Sequence, residues 1–204
     1  MLIQTLTGAQ STSDGAIIQA RAGKQGDTIV SELHGRYYET TYRGKGFNVA
    51  SQAVATTTVG LATTYTGLCL ANPTKSNVNL VLNKCTMMQS VIQSTQVEAF
   101  AIAYGFNSTT EVTLTVAATP QSNIIGSGAV SAAKAATSAT LPTAPLYGTF
   151  LTNTATATQN APGDWIDLEG SIILPPGAYA CWVTPAQASV AGMWFSFSWE
   201  EVPL

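Results

Sequence analysis

The chain has 204 residues, long enough to bury one sizeable core, and only 9% of them are charged, against roughly a quarter in an average soluble domain. Lys and Arg number 8 against 11 Asp and Glu, a formal net charge of −3, and no basic stripe is present, which excludes a nucleic-acid-binding surface. Thr, Ser, Asn, Gln, Ala and Gly stand where charges usually would, so the surface is either covered by other copies and neighbours or wetted by hydroxyls and amides.

Residues 1–46 differ in texture from the rest of the chain. They are richer in Gly and charge, hold no sustained period, and contain the turn-prone pieces Ser13-Asp14-Gly15, Gly23-Lys24-Gln25-Gly26-Asp27 and Arg43-Gly44-Lys45-Gly46. An extended arm ordered by neighbouring subunits is expected there. Met1 to Gln10 lacks the positive start and apolar centre of a secretory signal, so a protein made in a cytosol is expected. Gly23-Lys24-Gln25-Gly26 lacks the spacing of a phosphate loop and reads as a turn. The single histidine, His34, has no serine or cysteine in a motif that would make it a general base, and with three scattered cysteines it offers no zinc spacing.

From Phe47 onward, strand signals recur at intervals of roughly ten residues, the rhythm of a sandwich or barrel. They run through 47–55, 65–71, 78–84, 87–92, 97–106 and 111–117. The uncharged run 46–74 is too rich in Thr to span a bilayer, so no membrane partner is expected. In the fifth of these strands Phe100, Ile102, Tyr104 and Phe106 share one face, and Ala99, Ala101 and Ala103 the other. The small second face suits close approach of another sheet or subunit. Cys69, Cys85 and Cys181 each sit inside a strand and read as buried reduced thiols. Asn107-Ser108-Thr109 reads as a hairpin turn.

Residues 127–140 read as a loop with at most one helical turn, because Gly and Ser interrupt the helix-favouring alanines. Strands resume at 146–151 and 165–168, separated by a polar surface loop. Asp164, Asp167 and Glu169 carry carboxylates in a pattern that glycoside hydrolysis or calcium binding would use, but a solvated strand face is the simpler reading. Pro175-Pro176-Gly177 forces a turn into a C-terminal hairpin. In its last strand Met193, Phe195, Phe197 and Trp199 fall on one face and are the predicted core, while Trp194 falls on the other. Glu200 and Glu201 are expected to blunt an exposed edge. Trp194 is the tryptophan best placed to meet a partner or stack on a sugar ring. No catalytic residue, cofactor site or metal site is assigned. The expected fold is all-β, an antiparallel jelly-roll-like β-sandwich over 47–204 with the arm at 1–46.

Three pieces carry a family resemblance: His34-Gly35-Arg36-Tyr37-Tyr38-Glu39 followed by Tyr42-Arg43-Gly44; Leu61 through Pro73 with Asn79-Leu80-Val81-Leu82 after it; and Leu174-Pro175-Pro176-Gly177-Ala178-Tyr179 through Phe197-Ser198-Trp199-Glu200-Glu201-Val202-Pro203. Together they resemble a group of tailed-bacteriophage virion structural proteins. The resemblance implies a non-enzymatic jelly-roll sandwich carried on the virion, a head decoration or cement protein in preference to a tail or fibre component. Its implied partners are other copies of itself in a homotrimer and the major capsid protein or another virion protein; a glycan partner is suggested separately, by the tryptophans and the Thr/Asn-rich loops. Arg36, Tyr37, Tyr38 and Arg43 join Trp194 as the expected contact residues.

Overall fold

A computed structural model describes residues 35–53, 61–89, 97–154, 163–185 and 192–204, with backbone alone for 97–99 and 152–154. His34 and the rest of the arm up to it lie outside these residues. The chain divides into two units, Met1–Glu39 and Thr40–Leu204, and the second holds every described strand. One short helix, α1 (Tyr38–Tyr42), precedes the strands and is closed by Gly44 in the left-handed region, whose N–H donates to the Thr41 carbonyl.

Eleven strands are described: β1 (Gly46–Ala50), β2 (Thr64–Ala71), β3 (Val78–Gln89), β4 (Val97–Phe106), β5 (Thr113–Ala118), β6 (Gln121–Ser122), β7 (Lys134–Thr140), β8 (Leu146–Thr154), β9 (Gly163–Leu174), β10 (Ala178–Val183) and β11 (Met193–Pro203). They form a five-stranded sheet in the order β6-β1-β11-β3-β9 and a six-stranded sheet in the order β5-β7-β2-β10-β4-β8. All pairings are antiparallel. Four of them are nested: β4 with β8, β3 with β9, β2 with β10 and β1 with β11. A long hairpin rolled so that its successive strand pairs alternate between two sheets gives this nesting, which is the jelly-roll arrangement. The fold is therefore the antiparallel β-sandwich expected, with β5, β6 and β7 inserted between β4 and β8 and added to the opposite edge.

The core follows from the alternation of β11. Met193, Phe195, Phe197 and Trp199 are all buried, as expected, and meet residues of the other sheet. Trp182 of β10 stacks on Phe195 with ring centroids 5.3 Å apart and planes 19° apart, and Phe100 of β4 meets Phe195 edge-on. Each such ring contributes about 1.5–3 kcal/mol on burial.

Several expectations fail for identifiable reasons. The signals at 78–84 and 87–92 belong to one strand, β3, as far as Gln89. Its register against β9 shifts between Leu82 and Lys84, so the inward positions change from Leu80 and Leu82 to Cys85 and Met87. Residues 127–140, expected as a loop, contain β7, where Ala135 faces the main core and Ala136 and Ala139 face the outer side of the same sheet. Small side chains fit a strand enclosed between β2 and β5, and that packing overrides helix propensity. Pro175-Pro176-Gly177 does turn the chain, but β9 and β10 lie in different sheets, as do β10 and β11, so the C-terminal region is not a hairpin. Asn107 also sits in a turn, its Oδ1 accepting from the Thr109 and Thr110 amides, yet β4 and β5 do not pair.

The centre of the outer face of the six-stranded sheet is closed within the chain. Ala101 and Ala103 are fully buried there beside Cys69 and Cys181, with Leu141 and Val112 packed among them. The side chain of Tyr179 lies over Gly105, where any Cβ would collide with its ring. The small residues read as leaving room for another subunit are thus used by the chain's own covering.

Candidate functional site

Arg43 and Trp194, the two sequence-predicted residues of the second unit, do not converge. Arg36, Tyr37 and Tyr38 belong to the first unit, where the Arg36 guanidinium sits 5.7 Å from the Tyr37 ring centre. Arg43 lies just before β1, whose Gly46 is level with Glu200, whereas Trp194 opens β11 six residues away. At about 3.4 Å per residue the two are on the order of 20 Å apart and cannot share one small site.

Trp194 does face outward. It is partly exposed on the five-stranded sheet, opposite Met88 of β3. On the same face Trp165 of β9 is 59% exposed, with the Lys84 ammonium 5.2 Å above its ring and 3.9 Å from Asp167. Strand spacing and rise put the two tryptophans about 12 Å apart. The Thr86 and Ser196 hydroxyls hydrogen-bond to each other between them.

The carboxylates of β9 do not gather. Asp164 accepts from the Trp165 amide, Asp167 is exposed beside Lys84, and Glu169 takes a φ of 51° next to Gly170 at 83°, where the strand is kinked opposite the irregularity of β3. Among the described residues no group of three His, Cys, Asp or Glu could hold a metal ion. Glu200 and Glu201 do not lie on an edge, since β11 is the central strand of its sheet. Glu200 accepts from the Thr40 hydroxyl at 2.9 Å. Glu201 is buried and accepts from the Ser131 hydroxyl at 2.5 Å and the Ala132 amide at 2.8 Å, anchoring the β6–β7 connection.

Two apolar features stand out that strand periodicity did not reveal. On the open edge formed by β8 and β9, Phe106, Leu146 and Ile173 are 56%, 72% and 53% exposed and border a groove of about 420 Å³ with Tyr104, Leu174 and Pro175. Phe150, also exposed, lies on the other face of β8, level with Ala101, with its ring 5.4 Å from that of Tyr147. On the opposite edge, the β6–β7 connection carries Ile125 and Val130, 88% and 89% exposed. This loop is fastened at both feet. The Asn123 amide donates to the Gly46 carbonyl, Asn48 Nδ2 donates to Asn123 Oδ1 at 2.7 Å, and Glu201 holds the other end. Gly126 and Gly128 take φ of 80° and 71° at its tip, a backbone that suits glycine.

Fold and surface together define a jelly-roll β-sandwich with a closed core and exposed apolar side chains on both edges. No family model, characterised protein or solved structure matches the chain. Among the described residues no helix is long and apolar enough to cross a membrane.

Proposed function

We propose that the protein is a non-catalytic structural component of a bacteriophage virion, a capsid decoration or cement protein made in the host cytoplasm. It stabilises the head through contacts with other copies, as a homotrimer, and with the major capsid protein. The observation that carries this reading is the edge of Phe106, Leu146 and Ile173, large apolar side chains left in water by a chain that is only 9% charged. Apolar patches of this kind mark association surfaces. The sequence pieces that resemble virion proteins support the same reading, and jelly rolls recur in capsid subunits, an argument from analogy of fold. The reading predicts that particles lacking the protein lose their genome at lower temperature or lower salt, and that wild-type protein restores them while Leu146→Asp does not. Unchanged stability of the depleted particles would overturn it. Imaging of labelled protein on the tail or on a head fibre would move it to that role.

A second reading, a glycan-binding module on the virion surface, is favoured by one observation: Trp165 and Trp194 share an open sheet face with hydroxyls between them. Indole faces stack on pyranose rings. Binding of the purified protein to host surface polysaccharide, lost in both Trp165→Ala and Trp194→Ala, would establish it. Absence of binding by the wild type would dismiss it.

A further inference from the structure

We infer that Cys69 and Cys181 form a two-cysteine redox site, closing a cross-strand disulfide at the centre of the six-stranded sheet when a small-molecule disulfide oxidises them. The inference stands on strand register and packing and is independent of the virion reading.

The register sets the two cysteines face to face. β2 and β10 are the two middle strands of their sheet, and Cys181 lies directly opposite Cys69. Antiparallel pairs alternate between those that exchange main-chain hydrogen bonds and those that do not, and the latter bring side chains closest. The Asn72 N–H donates to the Ala178 carbonyl, which makes that pair a bonded one. Along the register Ala71/Tyr179 is then unbonded, Leu70/Ala180 bonded and Cys69/Cys181 unbonded. The Cα atoms of an unbonded pair stand about 4.5 Å apart, inside the range of about 4.4–6.8 Å that a disulfide spans. The Cys181 thiol is already in hydrogen-bonding contact with Cys69.

The neighbours on either side are small. In the row across the sheet Cys69 is flanked by Ala136 of β7 and Cys181 by Ala103 of β4, which leaves the sulfurs room to turn toward each other. Both cysteines are fully buried, in the cluster that also holds Val112 and Leu141. Cys85 supplies the contrast: it lies in the other core cluster, opposite Phe197 and Ile166, with no cysteine across from it.

The position has a mechanical consequence. β2 is registered on β10 over three residue pairs, whereas every other described pairing in that sheet covers five or more. Beyond Cys181 the register ends: Gly67 takes a φ of 127°, and the Tyr65 hydroxyl donates to the Trp182 carbonyl at 2.5 Å. The disulfide falls at the end of the sheet's shortest seam, the one that joins β5-β7-β2 to β10-β4-β8. It also ties residues separated by more than half of the chain, so it removes much of the freedom of the unfolded state.

The chemistry is two successive exchanges. One cysteine, as its thiolate, attacks the small-molecule disulfide and expels a first thiol; the other cysteine attacks the mixed disulfide and expels a second. Two protein thiols give up two electrons and two protons, and the oxidant leaves as two thiols. The first exchange needs the cover over the sheet to open locally, so entry is slow, and the same cover shields the finished bond from reductants.

The test refolds the purified full-length chain from urea in a buffer of reduced and oxidised glutathione, alkylates it in urea and maps the cysteines by mass spectrometry. Most molecules are expected to carry a Cys69–Cys181 bond, with Cys85 alkylated. The oxidised form is expected to unfold at a urea midpoint higher than the reduced form by roughly 1 M or more. It is also expected to keep its bond in dithiothreitol until urea is added. Cys69→Ala and Cys181→Ala are expected to lose the bond and the shift together. If an alanine variant does not fold, the comparison of oxidised with reduced wild type carries the test alone. Three alkylated cysteines, a bond to Cys85, or an oxidised form no more stable than the reduced one would each overturn the site. So would a bond that dithiothreitol removes as fast from the folded protein as from the unfolded one.

Discussion

The side-chain amide of Asn72, at the end of β2, donates to the main-chain carbonyl of Leu174, the last residue of β9, at 2.8 Å. The two residues belong to different sheets, and the same nitrogen also donates to the Val78 carbonyl at the start of β3. The Asn72 main chain meanwhile bonds to Ala178 and Gly177 at the start of β10. One buried asparagine thus holds the ends of four strands, and its Oδ1 accepts from the Ser76 hydroxyl.

Asn72→Ala is expected to cost about 2–4 kcal/mol, because it leaves two carbonyls without their donor at the end of the sandwich. Asn72→Asp is expected to do no better, since an ionised carboxylate accepts but cannot donate. Urea denaturation checks both. A midpoint within error of wild type for Asn72→Ala would show that water replaces the amide.

The cysteines supply a prediction about pH. Burial pushes the Cys85 and Cys181 thiols well above their usual range, and no disulfide involves Cys69, Cys85 or Cys181. A thiol whose folded pKa is raised contributes stability that is fully present below the unfolded pKa of about 8.5 and is lost as pH rises past it. The native protein should therefore resist iodoacetamide at pH 8, lose stability progressively above about pH 9, and become alkylated only as it unfolds. Mass spectrometry of alkylated samples across that range decides the matter, and rapid labelling of Cys181 in folded protein would contradict the packing.

Glycines in two strands should respond differently to the same added methyl. At Gly105 a Cβ would collide with the Tyr179 ring, whose hydroxyl donates to the Thr143 carbonyl at 2.5 Å and so resists displacement. At Gly163 the nearest atom, the Met87 carbonyl oxygen, stands at an ordinary 3.6 Å. Gly105→Ala is expected to cost about 1–3 kcal/mol. Gly163→Ala should stay within about 0.5 kcal/mol of wild type. Thermal melts of the two variants side by side would show equal shifts if Tyr179 can simply swing away.

Much of the fold was legible along single strands. The alternation in Met193-Trp194-Phe195-Ser196-Phe197-Ser198-Trp199 identifies both the strand and its buried face. β10 was recognisable too, but not its neighbours: all six of its residues are buried, and a strand enclosed on both faces shows no alternation from which its sheet could be read. β7 was hidden for a related reason. Lys134-Ala135-Ala136-Thr137-Ser138-Ala139-Thr140 has no large apolar residue, and only its confinement between β2 and β5 makes it a strand.

The candidate surfaces divide in the same way. Trp194 was correctly placed on the outer face because that followed from a period of two, but Arg43 and Trp194 do not form one site, since only strand register measures the distance between them. The exposure of Ile125, Val130, Phe106, Leu146 and Ile173 is not legible in the sequence, because an apolar residue is expected inside. By itself the sequence determined the all-β class, the core face of β11 and the absence of a basic stripe, since these depend on side-chain chemistry and local period. Tertiary structure alone decided which strands are neighbours and which apolar residues the finished sandwich leaves in water. Those relations depend on pairings between residues far apart in the chain, and local periodicity does not encode distance.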